Sequence, residues 1–157
     1  MRISAKVDYA VRAAVQLAAT EGAGPVKGDE IAAAQDIPIN FLENILSLLR
    51  NAGLVMSRRG ADGGYWLAVP AERITVADIV RVIDGPLAAV RGVRPSETDF
   101  PPPAEPLRDV WVAVRASLRA ILEDVTLADI VRNELPAVVG EWTSRTGAWE
   151  SPPLVSD

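Results

Sequence analysis

The chain has 157 residues, of which 49% are hydrophobic and 24% charged, with a net charge of −5. That suffices for one domain core plus an appended element and excludes wholesale disorder. It contains neither cysteine nor histidine, which excludes thiolate-held zinc, an iron–sulfur cluster, imidazole metal ligation and histidine general-base catalysis.

No clustered carboxylates suggest a hard-cation site, so no metal and no cofactor is expected. No apolar run reaches membrane-spanning length, and the N-terminus lacks a basic-then-apolar signal pattern. No membrane contact and a cytoplasmic location are therefore expected. Residues 1–84 hold nine Lys/Arg against ten Asp/Glu, a net of −1, whereas 85–157 hold seven against eleven, a net of −4. The acidic total argues against bulk nonspecific nucleic-acid binding but leaves room for a local basic surface in the first half. Fourteen of the sixteen cations are arginine, a bias that a GC-rich genome would also produce.

In chain order, Ile3 to about Thr20 predicts a first helix, with Val7, Ala10, Val11, Ala14, Leu17 and Ala18 as its apolar stripe and Ser4 as its cap. Arg2 and Lys6 sit outside the stripe, either as solvated surface charges or as phosphate contacts beside a groove. A short helix follows from Asp29 to Ala34, then a turn, Gln35-Asp36-Ile37-Pro38. Pro38 suits the first turn of the next helix. There Phe41 or Leu42, then Ile45, Leu46, Leu48 and Leu49, form one apolar face, and Gly53 ends it. Asn40, Glu43, Asn44, Ser47 and Arg50 lie off that face.

Two strand-like runs follow, Leu54–Arg58 and Tyr65–Val69. Between them lies the tip Arg59-Gly60-Ala61-Asp62-Gly63-Gly64, with Arg58 and Arg59 at its base. Alternation sends one of Tyr65 and Trp66 inward and the other outward. Short helix, turn, longer helix and basic glycine-tipped hairpin together make a winged helix-turn-helix. Its longer helix enters a DNA major groove, and its wing reaches phosphates or the adjacent minor groove. The expected DNA-facing residues are Arg2, Lys6, Asn40, Phe41, Glu43, Asn44, Ser47, Arg50, Arg58, Arg59, Gly60, Gly63 and Gly64.

Beyond the wing, Thr75 and Asp78 form a capping box for a helix to about Ile83. A near-copy, Thr126-Leu-Ala-Asp-Ile-Val-Arg132, recurs later; unmatched flanks argue for two similar helix starts rather than a duplication. Residues 87–105 form a Pro-rich connector that forbids regular helix over most of its length. A long helix is predicted from about Pro106 to Val125. Leu107, Trp111, Val114, Leu118, Ile121 and Val125 recur at spacings of 4, 3, 4, 3 and 4, a heptad seam suited to a dimer contact. The alternative is a stripe packed on the chain's own domain. The final helix runs from about Leu127 to Asn133 and is broken by Pro136. A partly disordered tail, 136–157, carries Trp142, Trp149 and Pro152-Pro153.

The fold class expected is therefore mainly α with a small β-hairpin. A winged helix-turn-helix domain spans 1–86, and the dimerisation helix with its following short helix spans 106–135.

Several segments are similar to the IscR/NsrR/CymR family of bacterial transcription regulators: Met1-Arg-Ile-Ser, Tyr9-Ala-Val, Gly24-Pro-Val, Glu30-Ile-Ala, Phe41-Leu-Glu, Leu49-Arg, Gly53-Leu-Val, Arg59-Gly, Gly63-Gly-Tyr and Val76-x-Asp-Ile. The match is close over about residues 1–86. Trp111 and Thr126-Leu-Ala-Asp extend it through the dimer helix. The resemblance implies a homodimeric winged-helix regulator, usually a repressor. It places Asn40, Phe41 and Glu43 on the base-reading part of the helix and Arg59 in the minor groove. Asn40-Phe41 replaces the Ser-Tyr of IscR-like members, so a different sequence should be read. Asn can bond adenine bidentately, and Arg59 fits a narrow, A·T-rich minor groove. The cysteines of cluster-binding members are missing, which places the chain with cluster-free members.

The expectation is a sequence-specific regulator, a homodimeric repressor of a palindromic operator in double-stranded DNA. Its effector, small molecule or protein, is left open. The alternative is an interaction module of the same fold that acts through a partner protein. An enzyme is not expected, because no nucleophile–base spacing stands out.

Overall fold

The computed structural model describes residues 2–150; Met1 and 151–157, including Pro152-Pro153, lie outside the described residues. Helix α1 spans Ala5–Ala19, and its N-cap Ser4 accepts a hydrogen bond from the Val7 N–H at 3.1 Å. Its inner face is mostly small: Ala10, Ala13, Ala14 and Ala18 are buried beside Leu17. Such a face lets neighbouring helices come close. Helix α2, Gly28–Gln35, starts with the Glu30 carboxylate accepting from the Lys27 N–H at 3.2 Å and ends on Asp36 in the left-handed region, φ 49°.

Helix α3 spans Ile39–Asn51. Pro38 sits one position before the first turn, as the cap, and its carbonyl accepts from the N–H groups of Phe41 and Leu42. Leu42, Ile45, Leu46 and Leu49 are buried. The C-terminal stop is a Schellman motif. The Gly53 N–H bonds to the Arg50 carbonyl and the Leu54 N–H to that of Leu49, both at 3.0 Å, with Gly53 at φ 76°.

Strands β1, Val55–Arg58, and β2, Gly64–Leu67, pair antiparallel from Val55↔Leu67 to Arg58↔Gly64. The sequence did not reveal a third participant. Val26 and Tyr65 exchange both backbone hydrogen bonds, at 2.9 and 2.8 Å, so the loop before α2 extends the hairpin. The tip glycines are sterically required. A Cβ on Gly63 would meet the Arg58 carbonyl oxygen at 2.2 Å, and one on Gly64, at φ 152°, would meet that of Val26 at 2.5 Å.

Helix α4, Val76–Asp84, and helix α6, Leu127–Arg132, both begin with a Thr-x-x-Asp capping box, at Thr75–Asp78 and Thr126–Asp129. These two near-identical helix starts face each other. The Val76 N–H donates to the Val125 carbonyl and the Leu127 N–H to that of Ile74, each at 2.9 Å, which makes an antiparallel bridge at Thr75↔Thr126. The bridge returns the chain to the first domain. Leu127 and Ala128 join the core formed by α1 and α3, although the sequence had grouped α6 with the dimerisation helix. Arg132 pairs with Glu72 on the outside.

Helix α5 spans Leu107–Leu122, and none of its residues is buried. Leu107, Trp111, Val114, Leu118 and Ile121 are half-buried, while Val110 and Val112 are exposed. Val125 corrects the predicted seam. It lies beyond the helix and is buried beside the bridge, because the C-cap at Glu123 ends α5 early. Glu123 ties α5 to α4 by accepting from Arg119 at 2.9 Å and from Arg81, and these two guanidinium groups hold its carboxyl down to about 2. The Pro-rich connector is packed rather than loose. Leu87, Pro95 and Thr98 are buried, and the Thr98 hydroxyl donates to the Pro95 carbonyl at 2.6 Å. The tail also differs from expectation. Pro136 caps a helix instead of only ending one, and α7, Ala137–Thr143, packs Val138, Val139 and Trp142 half-buried near α5.

Two substitutions test this frame. Thr126→Ala should remove one cap and cost about 1 kcal/mol of stability in urea unfolding; no change would mean that the bridge does not depend on it. Gly64→Ala should break the Val26–Tyr65 pairing, read as fast hydrogen exchange at both amides with the helical core still protected.

Candidate nucleic-acid interface

Burying one side of α3 fixes what the other side presents. Asn40, Glu43, Asn44 and Arg50 are exposed and Ser47 is half-buried, and at three- and four-residue spacing they form one polar ridge. Between the two candidates for the inner face, the structure buries Leu42 and leaves Phe41 57% exposed. Phe41 is braced edge-on by Tyr9 of α1, ring centroids 6.2 Å apart, and Arg12 lies over the Tyr9 ring at 5.1 Å. An exposed but braced aromatic beside a polar ridge is a surface held ready for contact.

At its C-terminal end the ridge runs into the wing. The Arg50 Nη1 donates to the Ser57 Oγ of β1 at 3.3 Å. There a cleft of about 460 Å³ is lined by Lys27, Arg50, Arg58 and Arg59, with Ser57 and the glycines Gly28, Gly60, Gly63 and Gly64. Among the described residues four cations line it and no carboxylate does. The Arg58 Nη2 spans the tip to the Asp62 carbonyl at 2.8 Å, which fixes the hairpin and leaves Arg59 exposed at its edge. Gly63 is buried, and the turn of the tip there has no room for a Cβ.

Of the residues expected from sequence, the structure brings together the α3 ridge and the wing arginines and glycines. It does not add Arg2 to them. Arg2 is exposed and lines a separate apolar depression with Ile3, Val80, Asp84 and Leu118. Lys6 is half-buried one turn before Tyr9. Sequence reading missed Lys27. Its position just before a helix start, ahead of Gly28, was the available signal, but only the Val26–Tyr65 pairing shows that this loop sits against the wing. Tyr65 turns inward with Leu67 onto the core, and Trp66 shares the opposite face with exposed Met56.

Comparison with known proteins gives the family. The model of the Rrf2 family, described as iron-dependent transcriptional regulators, matches residues 3–133. A Mycobacterium tuberculosis protein that carries a helix-turn-helix regulator name is 49% identical over 151 residues, covering 96% of this chain and 94% of its own. Among solved structures, the CymR global cysteine regulator of Bacillus subtilis superposes with a TM-score of 0.73 at 35% identity, covering 85% of this chain and 98% of that one. IscR of T. potens gives 0.70 at 38%, covering 85% and 88%. The family description and the names of these relatives are those of regulators, none of them an enzyme name.

The iron in the family description does not fit the donors present here. The chain has no thiolate or imidazole, and among the described residues no three or more carboxylates gather where they could hold a metal. No helix among the described residues is long and apolar enough to cross a membrane. The mainly helical fold, its wing and its relatives agree on one identity: the chain belongs to the Rrf2 family of DNA-binding helix-turn-helix transcriptional regulators, as a member without cysteine or histidine.

Proposed function

We propose that the protein acts as a homodimeric repressor that reads a palindromic operator, with α3 in the major groove and the wing at the flanking backbone and minor groove. The observation that carries this is the continuity of the α3 ridge with the four-cation cleft at the wing base. One surface thus offers polar groups for base edges and guanidinium groups for phosphates, the two kinds of contact that specific recognition combines. Asn40 can bond adenine bidentately, Glu43 can accept from the cytosine amino group, and Phe41 suits a thymine methyl. Arg59, at the exposed edge of the wing, fits a narrow minor groove.

Dimerisation is supported by α5. Its half-buried seam from Leu107 to Ile121 and the exposed Val110 and Val112 leave apolar surface that a second copy would cover. Two recognition helices related by a two-fold axis would then meet half-sites about 34 Å apart, one turn of duplex. A dimer seated on its operator represses by occupying the promoter.

The test is a salt titration of binding to a selected genomic fragment. Arg59→Ala should weaken binding most at sites with a narrow, A·T-rich flank and lower the salt slope by about 1, as the loss of one cationic contact requires. Glu43→Ala should change base preference while leaving the slope intact. If Arg59→Ala changes neither affinity nor slope, the wing does not touch DNA and the reading is wrong.

A further inference from the structure

Arginines also converge away from the wing. Arg81 from α4, Arg94 from the connector and Arg115 from α5 line a cleft of about 690 Å³, together with Leu87 and Gly92. Among the described residues Glu97 is the sole carboxylate lining it. The three cations are not equally occupied. Arg81 is paired with Glu123 and lies 3.7 Å from Asp78. Among the described residues Arg94 has only Glu97, at 3.9 Å, and its side chain is 70% exposed, a surface pair of little energetic weight and easily exchanged. Arg115 is half-buried and has no carboxylate within 4.0 Å among the described residues; its Nη1 donates to the Leu87 carbonyl at 3.2 Å.

A guanidinium offers five donors in a planar fork. Drawing that charge partly out of water without an anionic partner is unfavourable, and the fork matches a carboxylate or phosphate bidentately. This half-buried cation beside a weakly held one, in a cleft walled by three separate parts of the chain, is arranged to receive an anion.

We propose that the Arg94–Arg115 cleft binds a small metabolite through an oxyanion group, carboxylate or phosphate, and that this is where the regulator senses its signal. Binding stands on the cleft alone; the regulatory part rests on the DNA-reading proposal. The cleft joins α4, which belongs to the reading domain, to α5, which carries the seam. A ligand clamped there would bias the angle between them and so the separation of two recognition helices. That bias is a coupling only if the ligand binds the DNA-competent and incompetent arrangements differently.

The experiment titrates the 15N-labelled full chain separately with inorganic phosphate and with succinate, against sodium chloride at matched ionic strength. The expected result is saturable movement of the Gly85, Leu87 and Gly92 amides with one probe or both, with the stronger probe identifying the oxyanion. Binding should fall at least tenfold in Arg115→Gln and in Arg94→Gln. Arg94 is exposed, so its variant keeps the fold and decides the matter if Arg115→Gln does not fold. Shifts no larger than those with chloride, or unaltered by the substitutions, would overturn the site. Operator affinity with and without the saturating probe tests the regulatory part. A change supports it, and an unchanged affinity with intact anion binding overturns that part alone.

Discussion

Helix α3 can show a polar ridge to the outside because its other side is held against α1. Leu42, Ile45, Leu46 and Leu49 are buried there, each contributing about 1.5–3 kcal/mol. The opposing surface of α1 is largely alanine, which brings the two helices close and leaves α3 little freedom to rotate. A one-residue rotation of α3 would turn Glu43 and Asn44 partly inward and bury charge without a partner. The presentation of the ridge therefore depends on a hydrophobic contact that includes none of the proposed reading residues.

The later part of the chain is tied to that same core. The Thr75↔Thr126 bridge joins two copies of one helix-start sequence, and it lets α6 contribute Leu127 and Ala128 to the α1–α3 core. Helix α5 is thereby anchored at its C-terminal end, where Glu123 also holds Arg81 of α4, while Val110 and Val112 stay open. A packed link between α5 and the winged domain is what the proposed two-headed reader needs, since the distance between heads would select the operator spacing.

The local elements were legible because each carries its own signal. Ser4, the two Thr-x-x-Asp boxes, Gly53 and the paired tip glycines are short-range instructions, and the 3.6-residue period of α3 is a strong one. What escaped were contacts between segments distant in sequence. The repeated Thr-x-x-Asp motif was visible, but its two copies pairing with each other was not. Val125 fitted the heptad arithmetic yet serves the bridge, because periodicity cannot see where a helix is capped. Lys27 carried only the weak signal of a position before a helix start, and it joins the basic cleft through the Val26–Tyr65 pairing. Pro136 reads as a terminator from sequence, although proline is equally at home at a helix start. On the α3 surface, the choice between Phe41 and Leu42 needed the position of Tyr9.

The most direct test of the central claim is hydroxyl-radical footprinting of the purified protein on the genomic fragment it selects with highest affinity. A two-headed reader gives two protected blocks related by a dyad, with centres about ten base pairs or a whole multiple apart, each extending into a flanking minor groove. A single protected block without dyad symmetry, or selection of no fragment, would contradict it.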